Sequence, residues 1–141
     1  MFRIAWIDDD IPVLKSMLEP LEQEPDVYAI TYLSGFAEAR AEWDKVLEAD
    51  LVLIDILGPV GPGIEPSRRP GLGFLKELRD KHYKGKVICF SILDKREVTK
   101  HVIAGIENIS AYVKKPILPG DLKRKIDDVL LEPRTQTDSP T

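Results

Sequence analysis

The chain has 141 residues, which is enough for one domain with a substantial hydrophobic core. Its hydrophobic fraction of 43% and charged fraction of 31% are ordinary for a globular protein. The net charge of −4 disfavours direct contact with nucleic acid, because the phosphate backbone attracts basic surfaces. No apolar run approaches the roughly 18 residues of a membrane span, the N-terminus lacks a signal-peptide pattern, and a single cysteine excludes an internal disulfide. We therefore expect a cytoplasmic protein without membrane contact.

Strand-like and helix-like segments alternate along the chain. Apolar runs predict five strands, at 4–7, 27–33, 51–55, 87–90 and 111–113. Apolar residues at helical spacing predict a helix after each strand. In chain order, the inward faces of these helices are Ile11, Leu14, Leu18 and Leu21; Phe36, Ala39, Trp43 and Leu47, with Ser34 as a candidate cap; Leu72, Leu75 and Leu78; Val98, Val102 and Ile106; and Leu122, Ile126, Val129 and Leu130.

Two segments depart from this alternation. Residues 58–73 contain five glycines and four prolines, which predicts an extended loop. Residues 132–141 are polar, contain two prolines and have no apolar anchor, so we expect a disordered tail after a domain that covers 1–131.

The alternation predicts an α/β fold with a doubly wound, five-stranded parallel sheet and helices on both faces. In such sheets, ligands bind beyond the carboxyl ends of the strands. Polar residues stand at that end of four predicted strands: Asp8 and Asp9, Asp55, Ser91, and Lys115. We therefore expect these side chains to form one site.

This set of side chains suits phosphoryl transfer. Three crowded carboxylates repel one another unless a cation lies among them, and oxygen ligands without His or Cys favour a hard ion such as Mg²⁺. Lys115 would add a second positive charge and Ser91 a hydroxyl donor. Asp55, at the end of the apolar third strand, would be the nucleophile and would form an aspartyl phosphate.

The chain resembles the receiver domains of two-component response regulators over about residues 2–131. The motifs that carry the resemblance are the Asp8-Asp9 pair after the first strand, Asp55 with Pro59 four residues later, Ser91 after the fourth strand, and Tyr112 with the Lys115-Pro116 pair at the fifth. Each motif is weak alone, whereas their order and spacing together are specific. The resemblance implies a flavodoxin-like fold with strand order 2-1-3-4-5.

The resemblance also implies roles for the metal-binding and phosphoacceptor residues. Asp55 would accept a phosphoryl group from a histidine kinase or a phosphotransfer protein. Asp9, Asp55 and the backbone carbonyl of Leu57 would bind Mg²⁺ directly, and Asp8 would assist through water. Such a domain would catalyse only its own phosphorylation and slow dephosphorylation.

A second set of implied roles concerns the response to phosphorylation. Lys115 would pair with Asp55 and then with the phosphate, Ser91 would move to hydrogen-bond the phosphate, and Tyr112 would turn inward. These movements would remodel the surface of the fourth helix, fifth strand and fifth helix. A downstream protein target would recognise that surface, which could also support a homodimer.

The sequence departs from the family pattern at two places. Ile92 follows Ser91, where the family usually has a small residue. Its bulk should narrow access to the phosphate, so we expect a long-lived phosphoryl group. The loop after Asp55 is about eight residues longer than usual. Its Arg68-Arg69 pair could contact an acidic partner, but we favour the interpretation that it is a solvated part of that loop.

Two other functions remain open at this stage. In a degenerate receiver, Asp55 and Lys115 would form a structural ion pair and the domain would bind partners without phosphorylation. In a haloacid-dehalogenase-type phosphatase, Asp8 would be the nucleophile, with Asp10 two residues later. The chain is short for that second fold, and the reading leaves Asp55 without a role. Whether the domain acts alone or belongs to a longer chain is also open.

Overall fold

A computed structural model of the protein describes residues 1–8, 11–55, 70–91 and 109–132, without the side chains of residues 13, 70–72 and 91. The strands are β1 (Phe2–Ile7), β2 (Tyr28–Leu33), β3 (Leu51–Ile54), β4 (Lys86–Ser91) and β5 (Ala111–Lys114). The helices are α1 (Ile11–Leu14), a 3₁₀ helix (Lys15–Leu18), α2 (Glu19–Glu22), α3 (Phe36–Ala41), α4 (Trp43–Leu47), α5 (Pro70–Asp80) and α6 (Pro119–Leu131). The predicted helix around 98–106 and the predicted tail beyond residue 132 lie outside the described residues.

The sheet has the predicted topology. Its five strands run parallel in the order β2-β1-β3-β4-β5. Ile7, the last residue of β1, lies opposite Leu33 of β2 and Ile54 of β3. The carboxyl ends of these three strands therefore stop at the same level, and the residues that follow them meet at one edge of the sheet.

The core lies on both faces of the sheet because side chains alternate along each strand. Ile4 and Trp6 of β1 belong to a cluster covered by the segment 11–22 and by α6. Ala5 and Ile7 belong to a second cluster, covered by α3, α4 and α5. All four residues of β3 are fully buried, as expected for a central strand of a doubly wound sheet.

The first predicted helix is helical throughout but changes type. The residues 11–22 form α1, a 3₁₀ helix and α2 in direct succession. Pro20 has no backbone N–H and cannot donate an α-helical bond to Ser16, while the N–H of Glu19 donates to the Ser16 carbonyl in a 3₁₀ pattern. The missing donor accounts for the interruption.

The second predicted helix is divided at Glu42, whose backbone leaves the helical region with φ −125° and ψ 43°. The prediction that Ser34 caps this helix is wrong. Gly35 occupies the cap position without a side-chain hydrogen bond, and the Ser34 hydroxyl instead donates to Oε2 of Glu38 at 2.6 Å. A carboxylate one turn away competes for that hydroxyl better than the backbone does.

The third helix begins earlier than predicted. Helix α5 starts at Pro70, so the residues 70–73 are helical instead of belonging to the predicted loop. Proline is favoured in the first turn of a helix, where its missing N–H is not needed. The remainder of the predicted loop, 58–69, lies outside the described residues. Among the helices that the structure describes, none has the length and apolar character to cross a membrane.

Candidate functional site

Three strand ends bring charged side chains together. Asp8 directly follows β1, Asp55 directly follows β3, and Lys115 directly follows β5. The backbone N–H of Asp8 donates to the carbonyl of Leu33 at 3.0 Å, which fixes Asp8 at the carboxyl end of β2 as well. These three polar residues are all buried, although they lie at the edge of the sheet.

The ammonium of Lys115 connects the two carboxylates. Its Nζ lies 2.6 Å from Oδ2 of Asp8 and 3.5 Å from Oδ2 of Asp55. Burial of a charge is costly unless an opposite charge and hydrogen bonds compensate it. One lysine ammonium therefore contacts two buried carboxylates.

The two carboxylates differ in their exposure to solvent. The side chain of Asp8 is 0% exposed, whereas the side chain of Asp55 is 13% exposed. Asp55 is thus the carboxylate of this pair that is more accessible to an external reactant, whereas Asp8 is the closer partner of Lys115.

Phe90, which belongs to none of the sequence motifs, also contacts this group. The Nζ of Lys115 lies 5.2 Å from the centroid of the Phe90 ring. Phe90 is fully buried on β4, and its ring centroid lies 6.2 Å from that of Trp6. The signal in the sequence was limited to the position of Phe90 near the end of β4, the strand that neighbours β5 in the sheet.

Several predicted site residues cannot be located relative to this group. Asp9, Leu57 and Ile92 lie outside the described residues. The backbone of Ser91 ends β4 opposite Lys114, at the same edge of the sheet. The side chain of Ser91 is not among those that the structure describes.

Tyr112 lies on the other face of the sheet from Phe90. It pairs in register with Cys89 and packs, partly buried, against the cluster beneath α3, α4 and α5. Burial raises the pKa of the Tyr112 phenol above its usual value, and the neighbouring Cys89 raises it further. The phenol is therefore neutral at physiological pH, and it is a hydrogen-bond donor.

The donor atoms at this edge suit a hard cation. Both described carboxylates contribute oxygen atoms, and Mg²⁺ characteristically binds one or two carboxylates while it keeps several waters. No group of three or more candidate ligands occurs within the described ranges, from which Asp9 is missing. Asp8 and Asp55 thus fit a magnesium site by ligand type.

Comparisons with known proteins place the fold. No family model matches the chain. It is 31% identical over 130 residues to a protein-glutamate methylesterase/protein-glutamine glutaminase of Nocardioides sp., covering 90% of this chain and 32% of that protein. It is 28% identical over 119 residues to the nitrate/nitrite response regulator NarL of Escherichia coli, covering 84% of this chain and 50% of NarL. The chain therefore spans about a third of the length of the first of these curated relatives and half the length of the second.

Solved structures match over almost the whole chain. The CheY-like response regulator receiver domain protein of Methanospirillum hungatei is 26% identical with a TM-score of 0.67, covering 92% of this chain and 94% of that one. The response regulator TrrA of Thermotoga maritima, solved in complex with Mg²⁺ and BeF, is 25% identical with a TM-score of 0.64, covering 92% and 99%. In its sheet order and over almost its whole length, the chain is similar to the CheY-like receiver domains of response regulators.

Proposed function

We propose that this receiver domain accepts a phosphoryl group on Asp55 from a histidine kinase or a phosphotransfer protein. The observation that carries the proposal is the buried group of Asp8, Asp55 and Lys115, in which one ammonium lies within 3.5 Å of two carboxylates. Asp55 is the more exposed carboxylate, which favours it over Asp8 as the nucleophile and disfavours a phosphatase that attacks through Asp8.

The proposed reaction is a phosphoryl transfer between two side chains. A carboxylate oxygen of Asp55 attacks phosphorus, a P–O bond forms, and the P–N bond of the donor phosphohistidine breaks. The imidazole nitrogen leaves with the electron pair and takes up a proton. Lys115 supplies fixed positive charge beside the oxygens of the transferring group, and a buried charge acts more strongly there than it would in water.

The domain would hold Mg²⁺ with Asp9, Asp55 and the backbone carbonyl of Leu57, and with Asp8 through water. When bound, the ion would neutralise negative charge on the phosphoryl oxygens. The fit of the two described carboxylates to a hard cation supports this assignment.

The output would be a change in surface that another protein recognises. Ser91 would hydrogen-bond the phosphate, Tyr112 would turn inward, and the segment from the predicted fourth helix to α6 would carry the signal to a downstream protein or to a second copy of the domain. Nucleic acid is not expected to be a direct partner, and a cytoplasmic setting is proposed with this role. Ile92 would shield the phosphoryl group from water.

The test is intact mass after incubation with acetyl phosphate and Mg²⁺. Wild-type protein should gain one phosphoryl group, and Asp55→Asn should gain none. Asp44→Asn is a matched control, because Asp44 is an exposed aspartate on α4, away from the strand ends. Omission of Mg²⁺ should prevent labelling.

Other outcomes would contradict the proposal. An unlabelled wild-type protein would favour a domain that binds partners without phosphorylation. Hydrolysis of the donor that needs Asp8 but not Asp55 would favour a phosphatase.

A further inference from the structure

We propose that Phe90 is a positioning residue for Lys115, and that its ring face holds the lysine ammonium within reach of Asp55 for phosphoryl transfer. The inference extends the proposed function and depends on it for its catalytic consequence. Its structural basis is the distance of 5.2 Å between Nζ of Lys115 and the centroid of the Phe90 ring. Cations within about 6 Å of an aromatic centroid are attracted to the negative face of the ring.

The strand register explains why this ring lies beside the lysine. Phe90 on β4 pairs with Val113 on β5, and Lys115 follows Val113 by two residues. Alternation of side chains directs Val113 and the next but one residue to the same side of the sheet. That side is the face on which Phe90, Trp6 and Val113 form one buried cluster.

A second aromatic residue, Trp6 of β1, packs beside Phe90 on this face. Trp6 precedes Asp8 by two residues, and the centroids of the Trp6 and Phe90 rings lie 6.2 Å apart at an interplanar angle of 48°. Both rings are fully buried. The two aromatic residues therefore belong to one buried cluster, and the ring of Phe90 connects that cluster to the Lys115 ammonium.

The ammonium of Lys115 needs favourable contacts within the protein because it is almost completely removed from solvent. Its side chain is 5% exposed, and the ammonium carries three N–H groups. Its Nζ lies 2.6 Å from Asp8 and 3.5 Å from Asp55, and it also lies over the ring of Phe90 at 5.2 Å from the centroid. An aliphatic residue in place of Phe90 would offer hydrocarbon to a cation, whereas a ring face offers negative charge density.

This contact bears on reactivity because Lys115 must face a phosphoryl group that arrives at Asp55. A cation held at a fixed position requires no reorganisation when negative charge develops nearby. Without the ring, the ammonium would be free to move toward Asp8, its nearer partner. The stabilisation that its positive charge gives to a phosphoryl group at Asp55 would then weaken.

The decisive experiment varies the charge on the ring while its shape stays nearly constant. Phenylalanine at position 90 is replaced in the full chain by 4-fluoro-, 3,5-difluoro- and 3,4,5-trifluorophenylalanine, which progressively weaken the negative ring face. The initial rate of Asp55 labelling by acetyl phosphate with Mg²⁺ should fall stepwise, by about tenfold at the trifluoro analogue. The same analogues at Phe36, the first residue of α3, whose ring packs against Phe74 of α5, are the control and should leave the rate unchanged.

A second measurement does not need phosphorylation. The unfolding equilibrium of the same series is measured by urea denaturation in two backgrounds, with Lys115 and with Lys115→Met. With Lys115 present, the unfolding constant should rise about tenfold across the series, which corresponds to ~1.4 kcal/mol. With Lys115→Met it should stay constant within about twofold, because the cation is gone.

Each outcome decides one statement. A labelling rate that does not change along the Phe90 series, in a protein that does label, would overturn the positioning role. Equal destabilisation in both backgrounds would assign Phe90 to packing alone and would also overturn it. Failure of the unsubstituted protein to label would contradict the proposed function, and the unfolding series would then still confirm or reject the contact between Phe90 and Lys115.

Discussion

The ammonium of Lys115 lies 2.6 Å from Oδ2 of Asp8, and the two side chains are 5% and 0% exposed. These two groups alone would form a balanced buried ion pair. Asp55, at 3.5 Å from the same ammonium, adds a second negative charge to it. One cation therefore contacts two buried carboxylates, and these three groups should respond differently to substitution.

Replacement of the cation should cost more stability than replacement of the acceptor. Lys115→Met leaves two buried carboxylates without their shared partner, and we expect the free energy of unfolding to fall by about 3 kcal/mol. Asp55→Asn leaves the pair of Asp8 and Lys115 intact and removes repulsion, so we expect a change of less than ~1 kcal/mol. Urea denaturation measures the free energy of unfolding of both variants, and equal decreases would contradict this prediction.

A close contact at Gly85 predicts a second effect on stability. A Cβ atom at Gly85 would lie 2.1 Å from the Tyr83 hydroxyl oxygen and 2.7 Å from the carbonyl of Ala49. The Tyr83 hydroxyl donates to that carbonyl at 2.9 Å, so the ring cannot move without loss of this bond. Gly85→Ala should therefore destabilise the domain by about 1–3 kcal/mol.

Gly73 provides the control for this substitution. It lies within α5, and a Cβ atom there would have no neighbour within 4 Å. Gly73→Ala should stabilise the domain by about 0.5–1 kcal/mol, since alanine loses less backbone entropy in a helix. Thermal unfolding of the two variants should shift the midpoint in opposite directions, and a shared direction would refute the contact.

Lys86 should stabilise the end of α6. Its Nζ donates to the carbonyl of Val129 at 2.7 Å and also to the carbonyl of Glu132. Carbonyls in the last turn of a helix lack helical partners. A cation there also interacts favourably with the partial negative charge at the C-terminal end of the helix. Lys86→Met should reduce hydrogen-exchange protection in the last turn of α6 and lower the unfolding free energy by about 1–2 kcal/mol. Lys84→Met is the control, since Lys84 is exposed and precedes Lys86 by only two residues. An equal effect of both variants would exclude the cap.

Tyr28 should make stability sensitive to alkaline pH. Burial raises the pKa of the Tyr28 phenol, and its hydrogen bond to Asp127 raises it further. Because the folded pKa exceeds the unfolded one, the contribution is complete below the unfolded pKa of about 10 and is lost as pH rises through the folded pKa. Tyr28→Phe should cost about 1 kcal/mol at pH 7 and less above pH ~10. Denaturation at a series of pH values tests this, and a constant difference would count against it.

The bulk of Ile92 predicts the lifetime of the phosphoryl group. Ile92→Ala should speed the decay of labelled Asp55, because a smaller side chain admits water more readily. The loss of label is followed by intact mass after removal of the phosphodonor. Ile92→Leu, which keeps the bulk, should decay at the wild-type rate, and an unchanged rate for Ile92→Ala would refute the shielding role.

The positions of the strands along the chain and their carboxyl ends followed from local patterns, whereas the strand order in the sheet was implied by the resemblance to receiver domains. Apolar runs that end at Asp8 and Asp55 are recognisable because a strand buried on both faces has no polar residue until it ends. Helical spacing likewise identified the buried Leu122 and Ile126 of α6. Competition between nearby hydrogen-bond partners for one side chain was harder to predict. The Ser34 hydroxyl bonds to Glu38 instead of capping the backbone, and the two alternatives differ by little free energy.

Sequence alone determined that Asp8, Asp55 and Lys115 would meet, because parallel strands end at one edge and these residues follow three of them. Tertiary structure decided which contacts they make there. Lys115 lies closer to Asp8 than to Asp55, and it lies against Phe90, which no motif had marked. Such choices depend on the lateral register of β4 against β5 and on side-chain packing within a few ångströms, and neither quantity is encoded in the spacing of residues along one chain.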